Sequence, residues 1–438
     1  MEYKFLKVIP YTDFILWDAK RYFAKGVKSS LKIEKLGKHI TEESHRVYLN
    51  RTPETLFGIL GISNQKGMFD AYEEYGKKIN QPYKKVENGY IAYNPYRINV
   101  GSIGIKTDAL KYEFVSPAYV VFSCKETMLP EYIFLLMKSK TFNSVIRENT
   151  SGSVRQNLSF KTLSNLMIPI PTIEEQKQII ADYYKALEKC KTILNNIETT
   201  FQKINEVFFE ELGIYELPKN VTKMFSSVKI STLAKRWDAW DKHTKYASSK
   251  YVFSDFGDFV LGDPEYGAGE KGLDEFTGIR YIRITDINED GSLNEDAISA
   301  QKSEEKYKLV DDDFLIARSG NTVGKTFLYN SEKHGPAIYA GYLVRYKINK
   351  ESLDPTYLLL YTKTKLFKSW IEIAQRISGQ PNINGQEYLL APIIVPSKET
   401  QKNIVAKTEP LRNKILQLKK FYKDSIQKAN EDFAEKVF

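Results

Sequence analysis

The feature that most constrains how this chain folds is that it contains one pattern twice. Pro130–Phe142, PEYIFLLMKSKTF, returns 225 positions later as Pro355–Phe367, PTYLLLYTKTKLF, with six of the thirteen residues identical. The surrounding features return in the same order. Trp17-Asp18 recurs as Trp237-Asp238, Asn99–Gly104 as Thr322–Phe327, and Pro117–Val121 as Ala340–Val344. Ser151–Asn157 answers Ser378–Asn384, and Ile170–Ile180 answers Val395–Val405. Six ordered matches at offsets of 220 to 227 identify two copies of one structural unit, each about half of the 438 residues.

Each copy changes texture at a proline. Before it, β-rich runs at Tyr90–Tyr93, Tyr119–Phe122, Tyr281–Ile284 and Phe314–Ala317 predict strands. Tyr132–Ser139 and Tyr357–Thr364 have the apolar density of short buried helices. Glycines at 58, 61, 67, 257, 262, 267, 269 and 272 read as punctuating connections. After Pro171, Thr172 and Glu175 form a capping-box pair. Ile180, Tyr183, Leu187, Cys190, Leu194, Ile197, Phe201, Ile204 and Phe208 then recur in steps of three and four, with no glycine or proline before Gly213. That spacing predicts one helix of about 40 residues, about 60 Å long. The second copy follows Pro396 and Ser397 with Ile404, Leu411, Ile415, Leu418, Tyr422, Ile426 and Phe433. Thr400 stands where the capping carboxylate would be, and Pro410 predicts a kink.

An apolar seam of this length must be covered, and two such helices can cover each other. The expected fold is therefore mixed α/β (α+β): two repeated globular domains, separated by a pair of long antiparallel coiled-coil helices with pseudo-twofold symmetry. The expected boundaries are 1–170, 171–213 for the first helix, 214–395, and 396–438 for the second. The expected seam is Ile180, Leu187, Leu194, Ile197, Phe201 and Ile204 against Ile404, Leu411, Ile415, Leu418 and Tyr422.

Composition sets the outer limits. The net charge of +9 suits a polyanionic partner through phosphate attraction, without establishing one. Cys124 and Cys190 stand far apart and outside any Cys/His cluster, so neither zinc nor a disulfide framework is suggested, and both are expected as free thiols. No run approaches the ~18 apolar residues of a membrane helix, and the N-terminus lacks a signal-type apolar stretch, so a cytoplasmic, non-membrane protein is expected.

Motifs that would carry catalysis fall short. Ser319–Thr326, SGNTVGKT, resembles a phosphate-cradling loop, but only three residues separate Gly320 from Gly324 where four are needed. A glycine-permitted turn exposing Ser319, Asn321 and Lys325 is the expectation. Asn94–Arg97, NPYR, lacks the second proline and terminal aromatic residue of adenine-methyltransferase motifs. Asp311–Asp313 has no metal-nuclease partner arrangement around it, and His39, His45, His243 and His334 are scattered. No catalytic residue and no metal ligand is assigned.

The two-copy layout, SGNTVGK, and the proline-led openings IPTIEEQKQI and VPSKETQKNI together resemble the specificity subunit of type I restriction-modification enzymes. Gly278–Gly291, GIRYIRITDINEDG, and Leu309–Gly320, LVDDDFLIARSG, resemble that family's target-recognition domains, whereas NPYRINVGSIG departs from it in the first copy. The resemblance implies a non-catalytic subunit whose two domains each read one half of a bipartite, asymmetric double-stranded DNA site. It implies helices that fix the gap and dock two modification (methyltransferase) subunits, and restriction (translocase-nuclease) subunits that complete the complex. S-adenosylmethionine, ATP and Mg would then belong to those partners, with no cofactor in this chain.

Arg, Asn and Gln can pair with purine edges through two hydrogen bonds. The DNA-facing candidates, all on Gly/Ser-bearing segments, are Arg97 and Asn99; Arg155, Gln156 and Asn157; Arg318, Asn321 and Lys325; and Arg376, Gln380, Asn382 and Asn384. The competing role for SGSVRQN and SGQPNIN is to brace the turn before the helix. The alternative function, a DNA methyltransferase or nuclease with its own recognition domains, would need a catalytic domain for which the chain has neither room nor motifs.

Overall fold

The computed structural model describes residues 28–438 apart from 65, 99–100, 150–156, 218–244, 274 and 376–380. Of the repeated features, Trp17-Asp18 and Trp237-Asp238 fall outside the described residues. Two compact units emerge, Met1–Thr192 with Phe421–Phe438, and Ile193–Lys420. Both are mixtures of short strands and helices.

One frame is built in both units. In the first, strands Ile40–Glu42, Val120–Cys124, Ile91–Tyr93 and Ile103–Ile105 form an antiparallel four-stranded sheet in that spatial order. In the second, Val260–Tyr266, Leu343–Ile348, Phe314–Ala317 and Thr326–Leu328 do the same. A two-stranded ladder accompanies each sheet: Ile33–Lys35 with Met167–Pro169, and Ser254–Asp255 with Pro392–Ile393. Tyr93, Phe122, Tyr132 and Leu136 are fully buried in the first core, and Leu315, Tyr339 and Leu343 in the second.

What is added to the frame differs between the units. The first carries a five-stranded sheet built from residues 46–115, whose longest ladder pairs Leu56–Ser63 with Gly67–Tyr75. The second carries a parallel pair, Arg280–Ile282 with Ala337–Tyr339, and long connections. The expectation that Gly58, Gly61 and Gly262 mark connections is corrected, because all three lie inside strands. At Gly58 a Cβ would sit 2.0 Å from the ring of Tyr112, and at Gly61 2.7 Å from the ring of Phe69. There glycine makes room for an aromatic ring on a strand, not for a turn.

The short helix Pro130–Lys138 and its counterpart Pro355–Tyr361 each start on a proline, and each is held by the same glutamine. Gln176, fully buried, accepts from the Leu129 backbone N–H at 2.8 Å and donates to the Thr127 and Pro171 carbonyls at 3.1 and 3.0 Å. Gln401, 225 positions on and equally buried, accepts from Asp354 N–H at 2.7 Å and donates to the Ser352 and Pro396 carbonyls, both at 2.8 Å. Tyr132 and Tyr357 donate their hydroxyls to the carbonyls of Pro169 and Ile394 at 3.0 and 2.7 Å. The repeated letters therefore encode a latch between the globular frame and the start of each long helix.

The long helices span Ile173–Leu212 and Lys398–Val437, 40 residues each. Thr172 and Glu175 cap the first reciprocally, at 2.8 and 3.3 Å. Ser397 accepts from Thr400 N–H at 3.3 Å at the second, which runs unbroken through Pro410. Within the first unit, Tyr183 donates to Asn430 at 3.2 Å, stacks edge-on against Phe433 at 5.8 Å, and Lys436 pairs with Asp182 at 2.7 Å. Within the second, Glu211 pairs with Lys407, and Phe208 packs on Tyr357 and Tyr361. In both units the end of one long helix lies against the beginning of the other, so the pairing is antiparallel.

The seam sits one residue from where apolar spacing placed it along much of the first helix. Residues 176, 183, 190, 197 and 204 and residues 179, 186, 193 and 200 follow strict heptads, with Ile179, Cys190, Ile193, Ile197, Thr200 and Ile204 buried. Leu194 is 45% exposed, while Ile180, Leu187 and Phe201 are half-buried beside the seam. Apolar neighbours at 179/180 and 193/194 allow two registers in a letter pattern, and the structure uses the earlier one. In the second helix Ile404 and Ile415 are fully buried, and Leu411, Leu418 and Tyr422 are half-buried.

Candidate nucleic-acid interface

The segments that carry the candidate residues are brought together in both units. In the second, Gly320 N–H donates to the Pro381 carbonyl at 2.9 Å, Ile383 N–H donates to the Arg318 carbonyl at 3.0 Å, and Ser319 forms a bridge with Asn382. In the first, Leu158 N–H donates to the Pro95 carbonyl at 3.0 Å, which is the same bond in the other copy. Asn157 and Asn382 are half-buried at corresponding places. Asn384 caps the helix Gly385–Tyr388, accepting from Glu387 N–H at 2.9 Å while Glu387 accepts from its own N–H at 2.8 Å. Its carboxamide is engaged in bracing the turn.

Arg97 is exposed, next to a turn closed by its N–H to the Asn94 carbonyl at 3.0 Å. Asn99, Arg155, Gln156, Arg376 and Gln380 lie outside the described residues, as does His243.

Ser319–Thr326 folds as a 3-10 turn entering a strand, where a phosphate loop would enter a helix. Gly320 and Gly324 adopt φ of +70° and +84°, which glycine permits. The amides are consumed internally: Gly324 N–H meets the Ala317 carbonyl and the Tyr388 hydroxyl, both at 3.0 Å, and Val323 N–H meets the Gly320 carbonyl. Of the three side chains expected to be exposed there, only Asn321 is. Ser319 is buried, and Lys325 leans inward to the Ile287 carbonyl at 3.2 Å and Glu289 at 3.5 Å. The inward lean follows from the acceptors that the loop after Ile282 offers.

Arg318 stands differently. Its backbone N–H donates to the Tyr342 carbonyl at 3.0 Å and its Nε to the Gly341 carbonyl at 3.3 Å. Its guanidinium lies 5.1 Å from the Tyr266 ring centroid and 5.8 Å from that of Tyr342. It lines a cavity of about 600 Å³ with Glu270, Tyr281, Arg283, Thr285 and Tyr342. Arg283 is occupied by Asp286 through contacts of 2.8 and 3.1 Å, and that hydrogen bonding raises its already high pKa. Sequence reasoning passed over Tyr266, Glu270, Tyr281, Arg283 and Tyr342. The signal for Tyr342 was present, because AGYLV repeats the tyrosine of PAYVV.

The other polar clusters are structural. Asp311 accepts from Ser331, Asp312 pairs with Lys350 at 2.9 Å, and Asp313 is buried against Arg345 at 3.3 Å, where burial raises its pKa. Asp290 is buried beside Lys419 at 2.7 Å. Burial pushes its carboxyl up, but Lys419 and Ser292 outweigh that and leave it below the usual range. His39 bonds to Thr127 at 2.8 Å, and His334 accepts from Asn330 N–H at 3.1 Å. Cys124 and Cys190 are free thiols. Among the described residues no group of His, Cys, Asp or Glu is placed to hold a metal ion, and no helix is long and apolar enough to cross a membrane.

The type I restriction modification DNA specificity domain matches this sequence twice, over residues 55–207 and 270–428, one match on each copy of the repeat. The chain belongs to that family. The specificity-domain reading is thereby supported over that of a methyltransferase or nuclease with its own recognition domains. Among curated relatives, the type I restriction enzyme EcoKI specificity subunit of Escherichia coli strain K12 is 21% identical over 64% of this chain. The EcoBI specificity subunit of Escherichia coli is 23% identical over 65%. In both cases the chain spans 58% of the relative's length. A solved chain described as showing the structural basis of complex assembly and conformational transition of the type I R-M system has a TM-score of 0.48 at 16% identity, covering 93% of this chain and 98% of that one. Membership of the specificity-domain family rests on the two matched stretches.

Proposed function

We propose that this chain is the non-catalytic DNA-recognition subunit of a type I restriction-modification complex, in which each globular domain reads one half of a bipartite, asymmetric site. The observation that carries the reading is the double family match, falling once on each copy of the repeat. The helix pair sets the gap between half-sites and docks two modification subunits. Rigid spacing is what reading two half-sites on one duplex demands. Phosphate contacts position each domain and base-edge contacts specify it.

Adenine methylation requires the base to leave the stack, so it falls to partner subunits holding S-adenosylmethionine while this chain grips the flanks. Cleavage, with its ATP and Mg, falls to the restriction subunits. The complex works in the cytoplasm. The domains run 1–170 and 214–395, and the spacers 171–213 and 396–438. Exchanging residues 1–170 for the corresponding domain of another such chain tests this. Methylation mapping of cells carrying the whole system should show one half-site replaced and the other kept. Replacement of both halves, or of neither, overturns the reading.

A further inference from the structure

We propose that Arg318 is a specificity-determining residue whose guanidinium reads the O6/N7 edge of a guanine in the half-site met by the second domain. This rests on the recognition reading above and names the base that one side chain of it takes.

The frame holds Arg318 without needing an arginine. Its carbonyl accepts from Ile383 N–H at 3.0 Å, and in the first unit the equivalent bond from Leu158 N–H ends on Pro95. The backbone geometry is thus repeated while the side chain is not. That is the pattern expected where two domains share a scaffold and read different sequences.

The side chain is anchored by one hydrogen bond and two ring contacts. Nε is tied to the Gly341 carbonyl at 3.3 Å, and the rings of Tyr266 and Tyr342 flank the guanidinium at 5.1 and 5.8 Å. Its two terminal amino groups carry no hydrogen-bond partner among the described residues, and Arg318 lines a cavity of about 600 Å³. A planar fork held in one orientation suits two parallel hydrogen bonds to a base edge, the geometry guanine offers in the major groove.

A phosphate fits less well. Glu270 lines the same cavity, and its carboxylate repels a phosphate while being able to accept from an exocyclic amino group such as that of the paired cytosine. The flanking tyrosines are 44% and 57% exposed, and their ring faces suit a base.

Selection of bound DNA from a randomised pool tests this, using the full chain with the modification subunits proposed as its partners. The wild-type complex should enrich guanine at one position of one half-site. R318A and R318K should both lose that preference by about 5- to 150-fold, the range of one bidentate base contact, with every other position unchanged. R318K keeps the charge and the aliphatic stem, so it reports on readout even where R318A folds poorly. Retention of the guanine preference by R318K would overturn the inference, since a point charge would then suffice. Equal loss at all positions with a shallower salt dependence would overturn it in favour of a phosphate contact. Wild-type binding without sequence preference would overturn the recognition reading itself, and this inference with it.

Discussion

The ring of Phe208 packs against that of Tyr357 with 5.6 Å between centroids, and Phe433 meets Tyr132 at 6.5 Å. Each residue of the second pair is related to one of the first by 225 positions. The repeat therefore exchanges its helix ends: each copy's long helix finishes on the short proline-led helix of the other copy. Both long helices have their ends covered in this way.

Removing one ring should act on the other copy. F208A should cost about 3–5 kcal/mol, as a buried aromatic truncated to alanine does. It should speed amide exchange in Pro355–Tyr361 while leaving Pro130–Lys138 protected, and F433A should do the reverse. Loss of protection in the mutated copy's own short helix would contradict the exchange.

The glutamine latch gives a second expectation. Gln401→Ala strands the buried Pro396 carbonyl and the half-buried Asp354 N–H and Ser352 carbonyl, at about 1–3 kcal/mol for a buried orphaned group. Urea unfolding should show a loss of at least about 2 kcal/mol, with a similar loss for Gln176→Ala. A change below about 0.5 kcal/mol would show that water replaces the carboxamide.

Lys363 gives the molecule a stability that depends on alkali. It is buried, donating to Thr326 Oγ1 at 2.7 Å and to its carbonyl at 3.0 Å, and burial lowers its pKa from 10.5 to about 7, although Asp290 and Glu289 act to raise it. Between pH 7 and 10.5 the unfolded chain holds a proton that the folded one has released, so stability rises with pH across that window. Below pH 7 both states are protonated and the cost of burying the charge is at its full value. Denaturation of wild type and K363M from pH 6.5 to 9.5 should show the wild type gaining on the variant by up to about 1.4 kcal/mol per pH unit. Parallel curves would contradict this.

Much of this was legible in the letters because the repeat and the helix caps are local, ordered signals. Pro130–Lys138, Pro355–Tyr361 and both 40-residue helices follow from proline starts, capping hydroxyls and apolar spacing. The seam register was not legible, since Ile193 and Leu194 are equally apolar and only packing selects Ile193. Gly58 and Gly61 misled for a related reason: the rings they accommodate are set by pairing and packing, Phe69 lying across the ladder from Gly61 and Tyr112 coming from a more distant segment. At the candidate interface, Arg318 was named from its side-chain chemistry alone. The rings beside it come from Tyr266, 52 residues earlier, and Tyr342, 24 later, and no spacing rule predicts that meeting.

The proposed spacer role is that the two helices measure the distance between two half-sites read by two domains. Its most direct test is to insert one heptad into each long helix at facing positions and map adenine methylation in cells carrying the whole system. Both half-sites should persist unchanged, and only the gap between them should alter. Altered half-sites at an unchanged gap would contradict it.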